Sequence, residues 1–402
     1  MIATSPAADA ATASSARAQT AILVGSCDVQ LWSLPQPERL RRVFARNGLQ
    51  DIRTADAATA GPAILVRTDF LLEESLIKAL VETPDTLLIA TADSGRSVAV
   101  AAHVAGERAG KVAGLLSRDA TSAADAASLG LEVVGPDELG QVYNQALRRR
   151  ADLYALSLRE HPALAVEKRM FRNAYKGVTD FVTKWLWPWP AFWATRWCAA
   201  QRISPNLVTA LSLVFVLAAL WLFAEGYFVT GLVAAWLMTF LDTVDGKLAR
   251  VTLTSSKFGN IFDHGIDLLH PPFWYLAWFY GLARGAPTGQ MLLLAGAVWT
   301  AVIGYVIGRL QEGFFLWRFG FEMHAWRRLD SVFRLFTARR NPNLALLTIG
   351  VADGRPDLGL YAVAVWTVLS LLFHFARIGQ AMQQRRSGRP VESWLAETAS
   401  SA

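Results

Sequence analysis

The residues most able to do chemistry lie in one short stretch. Asp242-Thr243-Val244-Asp245-Gly246-Lys247-Leu248-Ala249-Arg250 is followed by eight residues and then by Gly259, Asp263 and Asp267. On a helix, positions three apart are offset by roughly 60° and positions four apart by roughly 40°. Asp242 and Asp245 therefore share one helix face, Asp263 and Asp267 share another, and side chains at these spacings are neighbours. Four carboxylates gathered in this way repel, and each costs about 2.5–3.5 kcal/mol in the hydrocarbon region of a membrane. A divalent cation offsets both terms, because carboxylate oxygens are preferred ligands of Mg²⁺ and Mn²⁺. Two such ions could bind between the pairs and also hold a diphosphate. Gly246 and Gly259 remove side chains where a ligand could approach closely. Ala249 keeps that face small, and Arg250 and Lys247 offer positive charge to phosphate oxygens. Asp267, the deepest carboxylate, could take a proton from an attacking hydroxyl. An acidic pair at a helix end is ordinarily a cap or a solvated face. Four acids at membrane depth, with glycines and an arginine among them, exceed that description.

The elements that must position these residues are apolar. Of 402 residues 53% are hydrophobic, and the aromatic enrichment begins at about Phe181. A spanning helix needs roughly 20 mainly apolar residues. The pattern predicts six: Pro205 to Glu225, Phe228 to Arg250, Gly259 to Ala283, Gln290 to Arg309, Asn343 to Ala352, and Leu358 to Met382. The fifth is too short as written and would have to borrow upstream residues such as Val332 to Phe336. Seven arginines lie between Arg309 and Arg340, whereas the opposite short loops carry only Arg284 and Arg355. The positive-inside rule places the basic loops, and both termini, in the cytoplasm. The expected location is the inner (cytoplasmic) membrane, with the acidic site on the cytoplasmic face. The stretch Lys184 to Pro190, with Trp193, Arg196 and Trp197, reads as an interfacial segment lying along the headgroups.

The net charge of +6 sits largely beside apolar spans, so it points to lipid headgroups and not to nucleic acid. Cys27 and Cys198 are the only cysteines and make neither a disulfide framework nor a metal motif. The first 20 residues, rich in Ala, Ser and Thr, read as a disordered tail without the apolar core of a signal peptide. Short apolar runs at Ala21–Gly25, Ala63–Val66, Thr86–Ala90, Val98–Ala102 and Leu131–Val134 alternate with helical patterns at Pro37–Asn47, Glu73–Val81 and Pro136–Arg148. That alternation predicts a soluble α/β (Rossmann-like) domain with three layers and a mainly parallel sheet. Leu153–Arg172 reads as a helical connector. The expected organisation is a tail at 1–20, an α/β domain at 21–150, connector and interfacial helices at 151–204, a six-helix membrane bundle at 205–385 and a tail at 386–402.

The acidic stretch resembles the hallmark of the CDP-alcohol phosphotransferase (CDP-alcohol phosphatidyltransferase) family, D-x-x-D-G-x-x-A-R, eight residues, G-x-x-x-D-x-x-x-D. All eight fixed positions are matched, and Pro205-Asn206-x-x-Thr209 is similar to the family's opening of the first span. The resemblance covers roughly Val178 to Met382. It implies a six-helix membrane fold, often a homodimer. It also implies two divalent cations on Asp242, Asp245, Asp263 and Asp267, and a cytidine diphosphate pocket lined by Gly246, Ala249, Arg250 and Gly259. Asp267 becomes the base. The implied reaction moves a phospho-alcohol group from a CDP-linked donor, expected to be a CDP-lipid, to an alcohol acceptor with release of CMP. His264 and His270 flank the motif and read as packing or hydrogen-bonding residues, and the basic segment Arg309–Arg340 reads as a headgroup contact.

The soluble half is weakly similar to the nucleotidyltransferase domain fused to some family members. The likeness rests on domain order and on Leu65-Val66-Arg67-Thr68-Asp69. The matching loop, Gly25 to Trp32, lacks the second glycine and the nearby basic residue that would hold a triphosphate, so a degenerate domain is expected. Two other readings fit parts of the sequence. A bifunctional cytidylyltransferase and phosphotransferase would turn over CTP, and a cation transporter would carry ions without forming CMP.

Overall fold

The computed structural model describes residues 18, 20–54, 61–93, 95–140 and 143–396. The tails expected at 1–20 and 386–402 lie largely or partly outside these residues. The chain divides into two compact units: one holds the residues up to Asn144 together with Ala151–Asn173, and the other holds Gln145–Arg150 and everything from Ala174.

In the first unit, runs of β-branched and aliphatic residues form a six-stranded sheet. Its strands are β1 (Thr20–Val24), β2 (Asp51–Thr54), β3 (Ala63–Arg67), β4 (Thr86–Thr91), β5 (Ser97–Val104) and β6 (Glu132–Val134), in the order β2-β1-β3-β5-β4-β6. β1 and β3 are buried on both faces, as continuous apolar runs require. One face packs Ile22, Val24, Leu65 and Leu87 against Val112, Leu115 and Leu116 of the helix Ala109–Leu116.

The sheet is mainly parallel, as expected: five of its six strands run the same way, and β5 alone runs against them. β1 pairs in parallel with β2 and β3, and β4 with β6, but β5 runs antiparallel to both β3 and β4. The five-residue link between β4 and β5 is far too short for a crossover helix, so the pair can only be a hairpin. The helix expected over Pro136–Arg148 stops after Pro136–Leu139, at Gly140. Leu153–Arg172, expected as a helical connector, instead supplies a strand, Ala155–Ser157, antiparallel to Phe70–Leu72, and the helix Ala163–Asn173. That helix is held to the first unit by Glu167, which accepts from the Trp32 backbone N–H at 2.7 Å, and by Phe171, which stacks on Trp32.

The second unit is helical. Its main helices are α1 (Pro205–Ala224), α2 (Phe228–Val251), α3 (Lys257–Ala283), α4 (Thr288–Phe319), α5 (Arg340–Ala352) and α6 (Pro356–Arg386). Among the described residues α1, α2, α4 and α6 are long and apolar enough to cross a membrane. Their packing is inverted relative to a soluble bundle. α1 buries small polar Thr209 and Ser212 while exposing Leu207, Leu211, Val214, Leu217 and Trp221. A continuous outward apolar stripe is a liability in water and a requirement in lipid. Side chains of α1 to α6 share one core, including Phe223, Met238, Trp274, Trp278, Val298, Leu347 and Leu360.

The fourth span extends well beyond the expected Arg309, to Phe319. The fifth does not borrow Val332–Phe336: Arg328–Phe333 is a separate short helix, and the chain turns before α5 begins at Arg340. The 13 residues of α5 rise only about 20 Å against the roughly 30 Å of a hydrocarbon core. At the break Arg339 pairs with Glu312 and Arg340 with Asp242 and Asp267, carboxylate partners that a continuous helix in lipid would deny them.

Candidate active site

The site sits where α2, α3 and α1 meet. Ser204 caps α1 by accepting the Leu207 N–H at 3.2 Å, and Pro205 follows as the first helical residue, where its missing N–H costs nothing. Ser256 caps α3 in the same way, accepting the Gly259 N–H at 2.9 Å. At Gly259 a Cβ would displace the Asn206 side-chain oxygen of α1. At the far end of the helices, a Cβ on Gly281 would overlap the Phe223 carbonyl and meet the Gly226 backbone at 3.1 Å. These two close approaches hold α3 against α1 at both ends.

All eight predicted site residues line a single cavity of about 290 Å³: Asp242, Asp245, Gly246, Ala249 and Arg250 from α2, and Gly259, Asp263 and Asp267 from α3. Carboxylate oxygens of Asp242, Asp245 and Asp263 lie within 4.8 Å of one another. Thr209 of α1 donates to Asp245 Oδ2 at 2.5 Å. The other Asp245 oxygen, Oδ1, is buried without a hydrogen-bond partner among the described residues. A buried carboxylate oxygen with a free lone pair, beside two further carboxylates, is a donor set that fits a hard divalent cation.

Asp267 is engaged differently. Arg340, the first residue of α5, donates through one terminal nitrogen to Asp242 Oδ2 at 2.5 Å and through the other to Asp267 Oδ1. One guanidinium thus bridges the two acidic pairs. Sequence spacing gives no hint of Arg340, which lies 73 residues beyond Asp267.

A second unforeseen residue is Tyr305 of α4. Pro271 and Pro272 lie inside α3 and lack the N–H groups that would bond the carbonyls of Asp267 and Leu268. The Tyr305 hydroxyl lies 3.0 Å from the Leu268 carbonyl and 3.4 Å from that of Asp267. It therefore supplies, from a neighbouring helix, a donor that the prolines withhold at the turn carrying Asp267. His270, buried against Trp274, bonds the Ile266 carbonyl at 2.6 Å and is a packing residue. His264 lines the cavity, with Nδ1 2.9 Å from the Asn260 carbonyl.

The cavity is also lined by the cationic Arg148, Lys176, Arg334 and Arg339. Burial, followed by the charges of Arg148 and Arg250, pushes the Lys176 ammonium down to about 8. Burial and Arg339 push Arg334 down to about 9 against the attraction of Asp180. Burial raises Asp180 in turn, but Arg334 and hydrogen bonds from Thr183 and Asn341 hold it below the ordinary carboxylate value. The basic segment expected to contact headgroups thus turns part of itself inward: Arg334 is buried, and Arg339 pairs with Glu312. Lys247, expected beside phosphate, lies 3.8 Å over the Tyr175 ring.

In the first unit Asp69 sits at the end of β3. Its carboxylate accepts two hydrogen bonds from Arg67, at 2.9 and 2.8 Å, and pairs with Arg159 at 2.9 Å.

Residues 202–333 match the family model described as CDP-alcohol phosphatidyltransferase. The chain is 32% identical over 137 residues to cholinephosphotransferase 1 of Mus musculus, covering 31% of this chain and 34% of that protein. It is 34% identical over 163 residues to the bifunctional IPC transferase and DIPP synthase of Rubrobacter xylanophilus, covering 40% and 34%. It is 30% identical over 111 residues to the phosphatidylinositol phosphate synthase of Mycobacteroides abscessus, covering 27% and 50%. The chain therefore spans between a third and a half of the length of these relatives. Among solved structures, the Mycobacterium tuberculosis phosphatidylinositol phosphate synthase with CDP-DAG bound aligns at a TM-score of 0.35 and 19% identity, over 46% of this chain and 91% of that one. Its complex with manganese and citrate aligns at 0.37 and 16%, over 46% and 87%. Over residues 202–333, the chain is thus similar to the CDP-alcohol phosphatidyltransferase family model.

Proposed function

We propose that this protein transfers a phospho-alcohol group, a phosphatidyl group in the favoured case, from a CDP-linked donor to an alcohol acceptor with release of CMP. One observation carries the reading: the eight residues singled out in the sequence line one cavity, three of their carboxylates lie mutually within 4.8 Å, and one of those, Asp245, has a buried oxygen without a partner among the described residues. Asp242, Asp245, Asp263 and Asp267 would hold two divalent cations, Mg²⁺ or Mn²⁺, which when bound neutralise charge that builds on the diphosphate. Gly246, Ala249 and Gly259 leave room for the cytidine diphosphate, and Arg250 faces its phosphates. The acceptor oxygen forms a bond to the phosphorus next to the donor alcohol, the bond from that phosphorus to CMP breaks, and Asp267 takes the acceptor's proton. Arg340 bonds Oδ1 of Asp267 and leaves Oδ2 for that proton. The cationic lining of Arg148, Lys176, Arg334 and Arg339 supports an acceptor that itself carries an anionic group.

The same proposal places α3 and α5 in the bilayer with the four longer helices, as a six-helix bundle in the cytoplasmic membrane, with the site on the cytoplasmic side. α3 is about 40 Å long and contributes Trp274 and Trp278 to the shared core, which supports a span. A homodimer follows from the family resemblance and is tested by mass measurement in detergent. In the first unit, the pairing of Asp69 with two arginines supports a structural ion pair and a domain without nucleotidyl transfer.

CMP release by the purified protein in detergent tests the reaction. Donors are CDP-diacylglycerol and soluble CDP-alcohols, and acceptors are neutral and phosphorylated alcohols, each with Mg²⁺ or Mn²⁺. Release that needs metal and one donor–acceptor pair, and that disappears in Asp267→Asn, is the expected result. Metal-dependent ion flux without CMP would instead favour the transporter reading.

A further inference from the structure

A second group of metal-ligating side chains lies outside the acidic site. Glu312 of α4, His324 in the turn Met323–Ala325, and His374 of α6 each present a ligand atom within 4.8 Å of the others. The two histidines are buried, at 1% and 2% exposure, and the Glu312 side chain is 10% exposed. Neither ring nitrogen of His374 has a hydrogen-bond partner among the described residues, nor does Nδ1 of His324. A buried imidazole with both nitrogens unmatched is rare, because one nitrogen is a donor and the other a lone pair and both lose water on burial. Beside Glu312 and His374 is a void of about 10 Å³, room for one water-sized body.

We propose that Glu312, His324 and His374 form a binding site for one transition-metal ion of the Zn²⁺ class, separate from the aspartate cluster. Two imidazoles and a carboxylate are a common three-ligand set for zinc, leaving a fourth position for water. The surrounding charge decides which metal fits. Arg309 lies 3.2 Å from Glu312, Arg339 also pairs with it, and both guanidiniums oppose a hard ion such as Mg²⁺ that is held by charge alone. An ion that gains most from imidazole nitrogen tolerates that field better, and the two arginines then act as partners that orient the ligating carboxylate. Such an ion would tie α4, the following turn and α6 together.

The test uses the full-length protein in detergent in an Asp263→Asn background, which breaks the other candidate cation cluster. After chelator treatment and dialysis against Zn²⁺ and then metal-free buffer, metal content is measured by mass spectrometry and thermal unfolding is followed with Zn²⁺, Co²⁺ and Mg²⁺. The expected result is about one zinc per chain, a rise in unfolding temperature with Zn²⁺ and Co²⁺ but not Mg²⁺, and loss of both in His374→Asn and in His324→Asn. A monodisperse size-exclusion profile for each variant shows that it is folded. Two variants guard against one of them failing to fold. Zinc no higher than in the buffer blank would overturn the proposal, as would zinc retained equally by both folded histidine variants. A His374-dependent shift with Mg²⁺ would overturn the assignment to an imidazole-preferring ion.

Discussion

Tyr305→Phe should destabilise the helical unit through the carbonyl of Leu268, left without its helical donor by Pro272. Phenylalanine keeps the ring, and with it the cation–π contact to Arg309 at 5.4 Å, so the change removes one O–H group and little else. The Leu268 side chain is exposed, and with α3 in the bilayer, as proposed, that exposure is to hydrocarbon, which offers no replacement donor. Leaving a desolvated acceptor unmatched costs about 1–3 kcal/mol. For a unit of this size each kcal/mol lowers the unfolding temperature by about 2–4 °C. The assay is thermal unfolding in detergent of a four-protein cycle: the parent, Tyr305→Phe, Pro272→Ala, and the double variant. Alanine at 272 restores the backbone N–H that the Leu268 carbonyl lacks, so Tyr305→Phe should cost markedly less in that background. An equal loss in both backgrounds would show that the hydroxyl stabilises the fold by some other route, and the argument from the prolines would fail.

Four further outcomes are expected. Gly281→Ala should lower the unfolding temperature sharply, because its Cβ would meet backbone atoms of Phe223 and Gly226 that cannot swing aside; overpacking of this kind costs roughly 1–3 kcal/mol, and an unchanged temperature would refute the close packing of α3 on the α1–α2 turn. Thr209→Val removes the donor to Asp245 at nearly constant volume, and the Mn²⁺ concentration for half-maximal CMP release should rise about 10–100-fold; an unchanged metal requirement would separate Asp245 from metal binding. Arg340→Met should leave Asp242 and Asp267 facing each other without a cation, weakening the apo protein more than the Mg²⁺-loaded one, as read by unfolding with and without chelator. In the first unit, burial pushes the Asp69 carboxyl up, but Arg67 and Arg159 hold it below its ordinary value. A depressed folded-state value means that its contribution is present above the unfolded carboxylate range and is lost as pH falls through the folded value. Asp69→Asn should therefore flatten the acid limb of the first unit's stability profile, followed by urea unfolding across pH, whereas an unaltered acid limb would rule out the pair as its source.

The sequence by itself determined the catalytic candidates and the environment they sit in. Fixed spacing of Asp, Gly, Ala and Arg on two helices is a local property, since a helix converts residue number directly into direction. Apolar run length likewise identifies spanning helices without reference to any partner. Five of the six sheet strands of the first unit were legible for the same reason, while Asp51–Thr54 is too polar to stand out. Periodicity locates a buried strand and says nothing of which way it runs, so the antiparallel β5 emerges only from the short link that precedes it. Tertiary structure alone decided everything that depends on residues meeting across helices. Arg340 bridges Asp242 and Asp267, Thr209 donates to Asp245, and Tyr305 answers two prolines on another helix. The start of the fifth helix belongs with them, because Arg339 and Arg340 there meet Glu312, Asp242 and Asp267. Such contacts carry no period in the chain; they arise because a low-dielectric interior requires each buried charge and each orphaned carbonyl to find a partner, and only the fold determines which one is within reach.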